Sequence, residues 1–240
     1  MEDKLLKIAT NDLMLLFSSA LKQGDLKISF NWEVSDKTIS EIGGRLIEDY
    51  ILTSLPKKIG VTIRGMQGRF EKCHIPESQR AMEDIAFTWV SPDGSETVDL
   101  LIDVKGHNEL KKGSRPNLAS IRKCKDFYTS NEKKELWIFY CRYTPVSKVC
   151  ESTTNISYKI EDESFHEKGM FLLRRLSDRN MDPADIGSGG QILFAREHEI
   201  ELIDRSRENM VEFLDSLTQH IEKLRKDRAE QRKKKKEERS

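Results

Sequence analysis

The chain has 240 residues, with 41 Lys+Arg balanced by 41 Asp+Glu, 37% hydrophobic residues and four cysteines. That length accommodates one compact domain or two small ones and excludes a large multidomain assembly. No apolar run approaches the ~20 residues of a membrane helix, and Met1-Glu2-Asp3-Lys4 lacks the layout of a signal peptide, so a soluble, cytoplasmic protein without a membrane partner is expected. Cys73, Cys124, Cys141 and Cys150 show no zinc-ligand spacing and read as reduced thiols. The zero net charge is unevenly distributed. Residues 222–239 hold ten Lys/Arg against five Asp/Glu, so the rest of the chain is acidic. Within that acidic body, residues 105–125 carry seven cations (Lys105, Lys111, Lys112, Arg115, Arg122, Lys123, Lys125) and one acid, Glu109. A local positive field beside concentrated carboxylates suggests a polyanion held near a metal site.

In chain order, residues 3–22 place Leu5, Leu6, Ile8, Leu13, Leu16 and Phe17 at helical spacings, with Gly24 as the stop. A short strand over 26–32 follows. Ser35 and Asp36 then offer caps for a helix from about Thr38 to Leu55, ended by Pro56. One stripe of that helix reads Gly44, Glu48, Ile51, Leu52, Leu55, which sets Glu48 among apolar neighbours. Residues 59–80 read as a surface loop after a possible strand at 60–63, and 65–69 is a possible groove-contacting loop. Ile85–Val90 and Thr97–Lys105 read as strands joined by a turn containing Asp93-Gly94. A basic loop over 106–116 leads to a helix that Asn117 can cap, and Glu135–Tyr143 is a further buried strand. Short strands are expected near 157–160, 169–173, 191–195 and 199–203, with a glycine-rich turn over 187–190. From about Ser206 a long helix carries Met210, Leu214, Leu217, Ile221 and Leu224 on one stripe, and its basic continuation has none. The chain contains no internal repeat, Walker loop or dinucleotide fingerprint.

The chemistry concentrates at the hairpin. With Asp93 and Gly94 at the centre of its turn, the numbers of facing residues sum to 187, and Asp84 opposes Asp103. Opposed residues share a sheet face with Cβ atoms roughly 4.5–5.5 Å apart. Lys105, two residues on, lies on that face too. Opposed like charges destabilise a sheet, and a divalent cation resolves the conflict. Magnesium takes one or two carboxylates together with phosphate oxygens, which suits phosphodiester hydrolysis. Lys105 beside it would orient or help deprotonate a water. The acid-x-Lys spacing also occurs at Glu2/Lys4, Asp25/Lys27, Glu109/Lys111 and Glu132/Lys134, where it reads as surface charge. Asp103-Val104-Lys105 differs in ending an apolar strand with Asp84 opposite, Glu48 upstream and a basic loop downstream.

On these residues the sequence resembles the PD-(D/E)XK nuclease superfamily, and within it the type II restriction endonucleases. The resemblance covers about residues 38–143 and comprises the helix acid Glu48, Asp84, the Asp103-x-Lys105 motif, the following helix and the next apolar strand. It implies an α/β (α+β) fold with a restriction-endonuclease-like αβββαβ core, a mixed central sheet flanked by helices, and here a long C-terminal helix. It also implies a single catalytic and DNA-binding domain over 1–221, recognition elements at about 106–118 and 165–203, and a basic tail over 222–240. The implied activity is Mg²⁺-dependent, sequence-specific hydrolysis of double-stranded DNA leaving 5′-phosphate ends. The implied setting is a homodimer in a bacterial or archaeal cytoplasm, with a cognate DNA methyltransferase as genetic partner. Asp84, Asp103 and the Val104 carbonyl would hold the metal, Glu48 a second ion or one of its waters, and Lys105 the attacking water. Glu41 and Glu83 are rivals for the places of Glu48 and Asp84, and His107 stands outside the catalytic set. Lys111, Lys112, Arg115, Asn117, Arg174, Arg175, Arg179, Asn180 and Gln191 are candidate DNA contacts. A repair, recombination or transposition nuclease on the same core is the alternative enzyme. A noncatalytic DNA-binding or oligomerisation module is the alternative outside enzymes.

Overall fold

The computed structural model describes residues 2–21, 26–77, 81–111, 117–130, 134–150, 153–166, 169–179, 181–182, 191–194, 201–203 and 205–237. Its elements in chain order are α1 (Glu2–Leu21), β1 (Leu26–Phe30), α2 (Asp36–Ser54), β2 (Arg69–His74), β3 (Ile85–Val90), β4 (Thr97–Asn108), β5 (Asn117–Ser120), α3 (Ile121–Thr129), β6 (Glu135–Cys150), β7 (Thr153–Ile160), β8 (Met170–Leu172), β9 (Met181–Asp182), β10 (Gln191–Phe194) and α4 (Arg207–Glu237). The fold is mixed α/β with a mixed sheet and a C-terminal helix. It divides into two compact units, one of residues 1–116 and 133–173, the other of residues 117–132 and 174–240. Among the described residues, no helix is long and apolar enough to cross a membrane.

The first unit is a seven-stranded sheet in the order β1-β7-β6-β4-β3-β2, with β8 on β6. β4 and β6 are parallel, and every other pair is antiparallel. Leu100, Leu101, Ile102 and Val104 of β4 are all buried, as a central strand covered on both faces requires. β2 is different: Arg69, Glu71 and Lys72 are exposed and only Phe70 is buried. Such a charged edge strand resists pairing with other chains. It also lacks the alternation that marks a strand, so the stretch reads as loop from sequence. No strand forms over 60–63, where Gly60 takes φ +75°. β4 runs on through Gly106, His107 and Asn108, expected to be loop, because β6 supplies partners in Cys141, Arg142 and Tyr143.

α2 starts at Ser35, whose side chain accepts from the Thr38 N–H. Gly43 and Gly44 sit mid-helix at a cost of about 1 kcal/mol each relative to alanine. Gly43, and Gly106 on the facing strand, let the helix lie this close to the sheet, whereas a Cβ on Gly44 would make only ordinary contact. A Cβ on Gly43 would come within 2.7 Å of the Tyr143 hydroxyl, and one on Gly106 within 3.0 Å of the Gly44 Cα. Asn108 of β4 donates from Nδ2 to Ser40 Oγ of the helix at 3.1 Å.

α1 contributes Ala9, Leu13, Leu16, Phe17 and Ala20 to the core and one buried acid, Asp12. The Asp12 carboxylate accepts from Gln67 N–H (2.9 Å), Gly68 N–H (2.7 Å) and Trp89 Nε1–H (2.8 Å), tying helix, loop and β3 together. Gly68 is obligatory there, since a Cβ would lie 2.4 Å from the Trp89 ring.

In the second unit, β5, β10 and β9 form a small antiparallel sheet. α3 buries Ile121, Cys124 and Tyr128, and α4 buries Met210, Leu214, Leu217 and Ile221. The two helices pack together, linked by a Lys125–Asp215 ion pair at 2.5 Å. Asn117, expected to cap α3, instead opens β5. Ser120 is the cap, its Oγ accepting from the Lys123 N–H. Arg205 is buried with its guanidinium paired to Asp178 and 4.2 Å above the Phe213 ring. Cys73, Cys124 and Cys141 are not joined in disulfides. The expected glycine-rich turn over 187–190 lies outside the described residues, as do 199 and 200 of the strand expected over 199–203, of which Leu202 forms a single antiparallel bridge with Leu176.

Asp12→Ala should leave three donors without their acceptor and cost roughly 3 kcal/mol or more, seen as a lower urea midpoint. Asp12→Asn, which keeps one acceptor oxygen, should lose less.

Candidate active site

The hairpin pairs Ile85 with Ile102, Ala86 with Leu101 and so on to Val90 with Thr97, so facing numbers sum to 187 as the sequence predicts. The turn that sets this register is not a two-residue Asp-Gly turn. Gly94 N–H donates to the Ser91 carbonyl at 3.0 Å, which makes Pro92 and Asp93 the central pair, and Gly94 follows with φ +74°. The Asp93 carboxylate accepts from the Ser91 hydroxyl and from the hydroxyl and N–H of Ser95, and these bonds lower its pKa to about 2. The longer connection has the same midpoint as the expected turn, so the register is unchanged.

Asp84 stands immediately before β3. Its N–H donates to the Ile102 carbonyl at 2.8 Å, and its Oδ2 accepts from the Val104 N–H at 2.7 Å. The N–H and C=O of one strand residue point to the same side. The Val104 carbonyl is therefore directed to the Asp84 side of β4, while its side chain is buried in the core.

Asp103 is buried, 4% exposed. Its Oδ1 accepts from Lys105 Nζ at 2.5 Å, and its Oδ2 is buried with no hydrogen-bond partner. Burial drives its pKa well above the ordinary carboxylate value. Lys105 opposes that rise and the neighbouring Asp84 adds to it. Two carboxylate acceptors set together this way need a proton or a cation between them. Burial likewise disfavours charge on Lys105, but Asp103, Asp84 and Glu48 together outweigh it, and the ammonium is held above its usual pKa.

Glu48 lies half-buried on α2, one turn past Gly44. Burial raises its pKa, as does Asp84, while Lys105 and Arg45 lower it. It shares the electrostatic environment of the two aspartates and the lysine, placed there by the close approach of Gly44 to Gly106. Glu41 is exposed and ion-paired to Lys37 at 3.8 Å. Asp84, rather than Glu83, is the acid whose carboxylate is tied to β4.

All these donors are oxygens, and one is buried without a partner, a set that fits a hard divalent cation. Among the described residues, no three or more His, Cys, Asp or Glu side chains form a ready metal cage. The neighbourhood is two acids with a bound lysine, and Glu48 beside them.

The expected DNA contacts are scattered. Lys111 is exposed just past β4, while Lys112, Arg115 and Asn180 lie outside the described residues. Asn117 is exposed at the start of β5, in the second unit. Arg174 donates to the Arg205 carbonyl at 3.0 Å, the Arg175 carbonyl accepts from Ile203, and Arg179 is ion-paired to Glu201 at 3.3 Å. Gln191 begins β10, its side chain outside the described set. Of the basic segment, Lys105 is bound to Asp103 and Lys125 to Asp215.

One feature escaped the sequence reading. The Gly44–Gly106 approach had a signal, a glycine inside a strand matched by a glycine pair inside a helix. His107 continues the Asp103–Lys105 face, its ring centroid 5.5 Å from that of Tyr140 and Nε2 4.0 Å from Glu109. Burial lowers its pKa, Arg142 does the same and Glu109 opposes them. No family model matches the chain, and no curated protein matches it either.

Because folding raises the Asp103 pKa, its contribution to stability is present below the unfolded pKa and is lost as pH rises through the folded one. In a chelating buffer, Asp103→Asn should therefore gain stability over the parent as pH rises. The gain should approach about 1.4 kcal/mol for each tenfold difference in proton affinity between folded and unfolded chain, and vanish in acid. Urea unfolding at several pH values measures it.

Proposed function

We propose that this protein is a Mg²⁺-dependent endodeoxyribonuclease of the type II restriction kind, hydrolysing phosphodiester bonds of double-stranded DNA and leaving 5′-phosphate ends. The observation that carries this reading is the buried, unpartnered Oδ2 of Asp103 beside Asp84 and Lys105 at one end of the β3–β4 hairpin. The element order supports it. α2 precedes three antiparallel strands, and the chain then passes through the short β5 and α3 to β6, parallel to β4, an order in keeping with an αβββαβ core to which β5 is added.

Asp84, Asp103 and the Val104 carbonyl would hold the ion, and Glu48 would hold a second ion or one of its waters. When bound, Mg²⁺ supplies Lewis-acid activation of water and charge neutralisation at the scissile phosphate. In the ion-free site its three acidic neighbours hold the Lys105 ammonium above its usual pKa, which favours Lys105 as a donor that orients the attacking water and offsets charge developing on the phosphate. The reading carries with it a homodimer acting in the cytoplasm beside a cognate methyltransferase.

Digestion of DNA of known sequence with Mg²⁺, followed by end mapping, tests the proposal. Discrete fragments with 5′-phosphates are expected. Random nicking or a preference for branched DNA would instead indicate a repair, recombination or transposition nuclease. Asp103→Ala and Lys105→Ala should each slow cleavage by roughly 10²–10⁴-fold, and full activity in both would overturn the site. Protons compete with the ion for Asp103, so Mg²⁺ affinity by calorimetric titration should strengthen as pH rises through its raised pKa, a trend Asp103→Asn should abolish.

A further inference from the structure

α4 changes character along its length. Up to Ile221 it buries an apolar stripe, whereas every side chain described from Arg225 onward is exposed. The helix nevertheless continues to Glu237. At 1.5 Å per residue this end extends about 20 Å beyond its last apolar contact. A helix of that length without a packed face is marginal in water.

Its charges are sorted around the axis. At 100° per residue, Arg225, Arg228, Arg232 and Lys235 follow one another at steps of three and four on one side. Asp227, Glu230 and Glu237 lie on the other side. There they stand three or four residues from Lys223, Lys226, Lys233 and Lys234, the spacing at which opposite charges on a helix meet. No Asp or Glu occurs three or four residues from Arg228 or Arg232, and each has a further arginine on its own side at that spacing. Like charges so placed repel along the helix and are relieved by an external polyanion. Arginine's planar fork suits phosphate oxygens, and the four side chains span about 15 Å of helix.

We propose that the Arg225–Arg228–Arg232–Lys235 face of α4 binds the phosphate backbone of double-stranded DNA without reading its sequence. This deepens the nuclease reading by assigning it a non-specific holding surface separate in sequence from the Asp84–Asp103–Lys105 hairpin. The contact needs no metal, so its test does not depend on cleavage.

The test compares two full-length double variants of equal charge change, Arg228→Gln with Arg232→Gln, and Lys233→Gln with Lys234→Gln. Glutamine keeps helix propensity, and circular dichroism confirms the helix. Binding of a random-sequence duplex is measured in EDTA across a salt series. The arginine pair should weaken binding by about tenfold at low salt and reduce the salt-dependence slope by about two, while the lysine pair changes little. Equal effects from both pairs, or none from either, would overturn the proposal. Loss of binding to phosphatidylserine vesicles with DNA binding intact would overturn it in favour of a membrane surface. Failure of Mg²⁺-dependent cleavage with the arginine effect intact would sink the nuclease reading and leave this face standing.

Discussion

The opposition of two carboxylates, Asp84 and Asp103, is the constraint around which the first unit is arranged. Placing like charges on neighbouring strands costs stability, and burying one of them costs more. The structure offsets this with specific partners: Lys105 on Asp103 Oδ1, and the Val104 N–H on Asp84 Oδ2. One oxygen, Asp103 Oδ2, is left without a partner. A purely structural hairpin would gain by replacing Asp103 with an apolar residue, as its neighbours Ile102 and Val104 illustrate. Under the proposed reading, the buried acid is retained there to bind a cation.

The rest of the unit serves that placement. Asp103 and Lys105 lie on the central strand, fixed between β3 and β6, so neither side chain depends on a loop for its position. Glu48 reaches the same environment because Gly43 and Gly106 lack the side chains that would hold α2 away from the sheet. The buried Asp12 fastens α1 and the loop before β2 to Trp89 of β3, stiffening the hairpin from its other end. Glycines that weaken a helix and an acid that resists burial are thus both kept where they fix relative positions.

The second unit follows another logic. Its arginines are largely engaged in holding it together: Arg205 over Phe213 and on Asp178, Arg207 against the rings of Phe127 and Tyr128, Arg174 on the Arg205 carbonyl. Arg228 and Arg232, at the exposed end of α4, take no part in such packing. Local positive charge in the sequence is therefore a poor guide to which cations remain exposed. What distinguishes the end of α4 is the absence of carboxylates within a helical turn of Arg228 and Arg232 on their own face.

The sequence by itself determined the helices α1, α2 and α4, the β3–β4 hairpin and its register over 85–90 and 97–102, and with them the nearness of Asp84 to Asp103. These are local matters of periodicity, caps and a turn midpoint, and the midpoint held even though the turn type did not. The tertiary structure decided what depends on neighbours distant in the chain. β2 is a strand because β3 offers it an edge, although its own residues are polar. β4 continues past Lys105 because β6 pairs with it, so His107 belongs to a strand and not to a loop. Asn117 joins β5, and Ser120 takes the cap. The ionisation of Asp103, Lys105 and Glu48 was equally out of reach of the sequence, since burial and mutual charge, not residue type, set their pKa values.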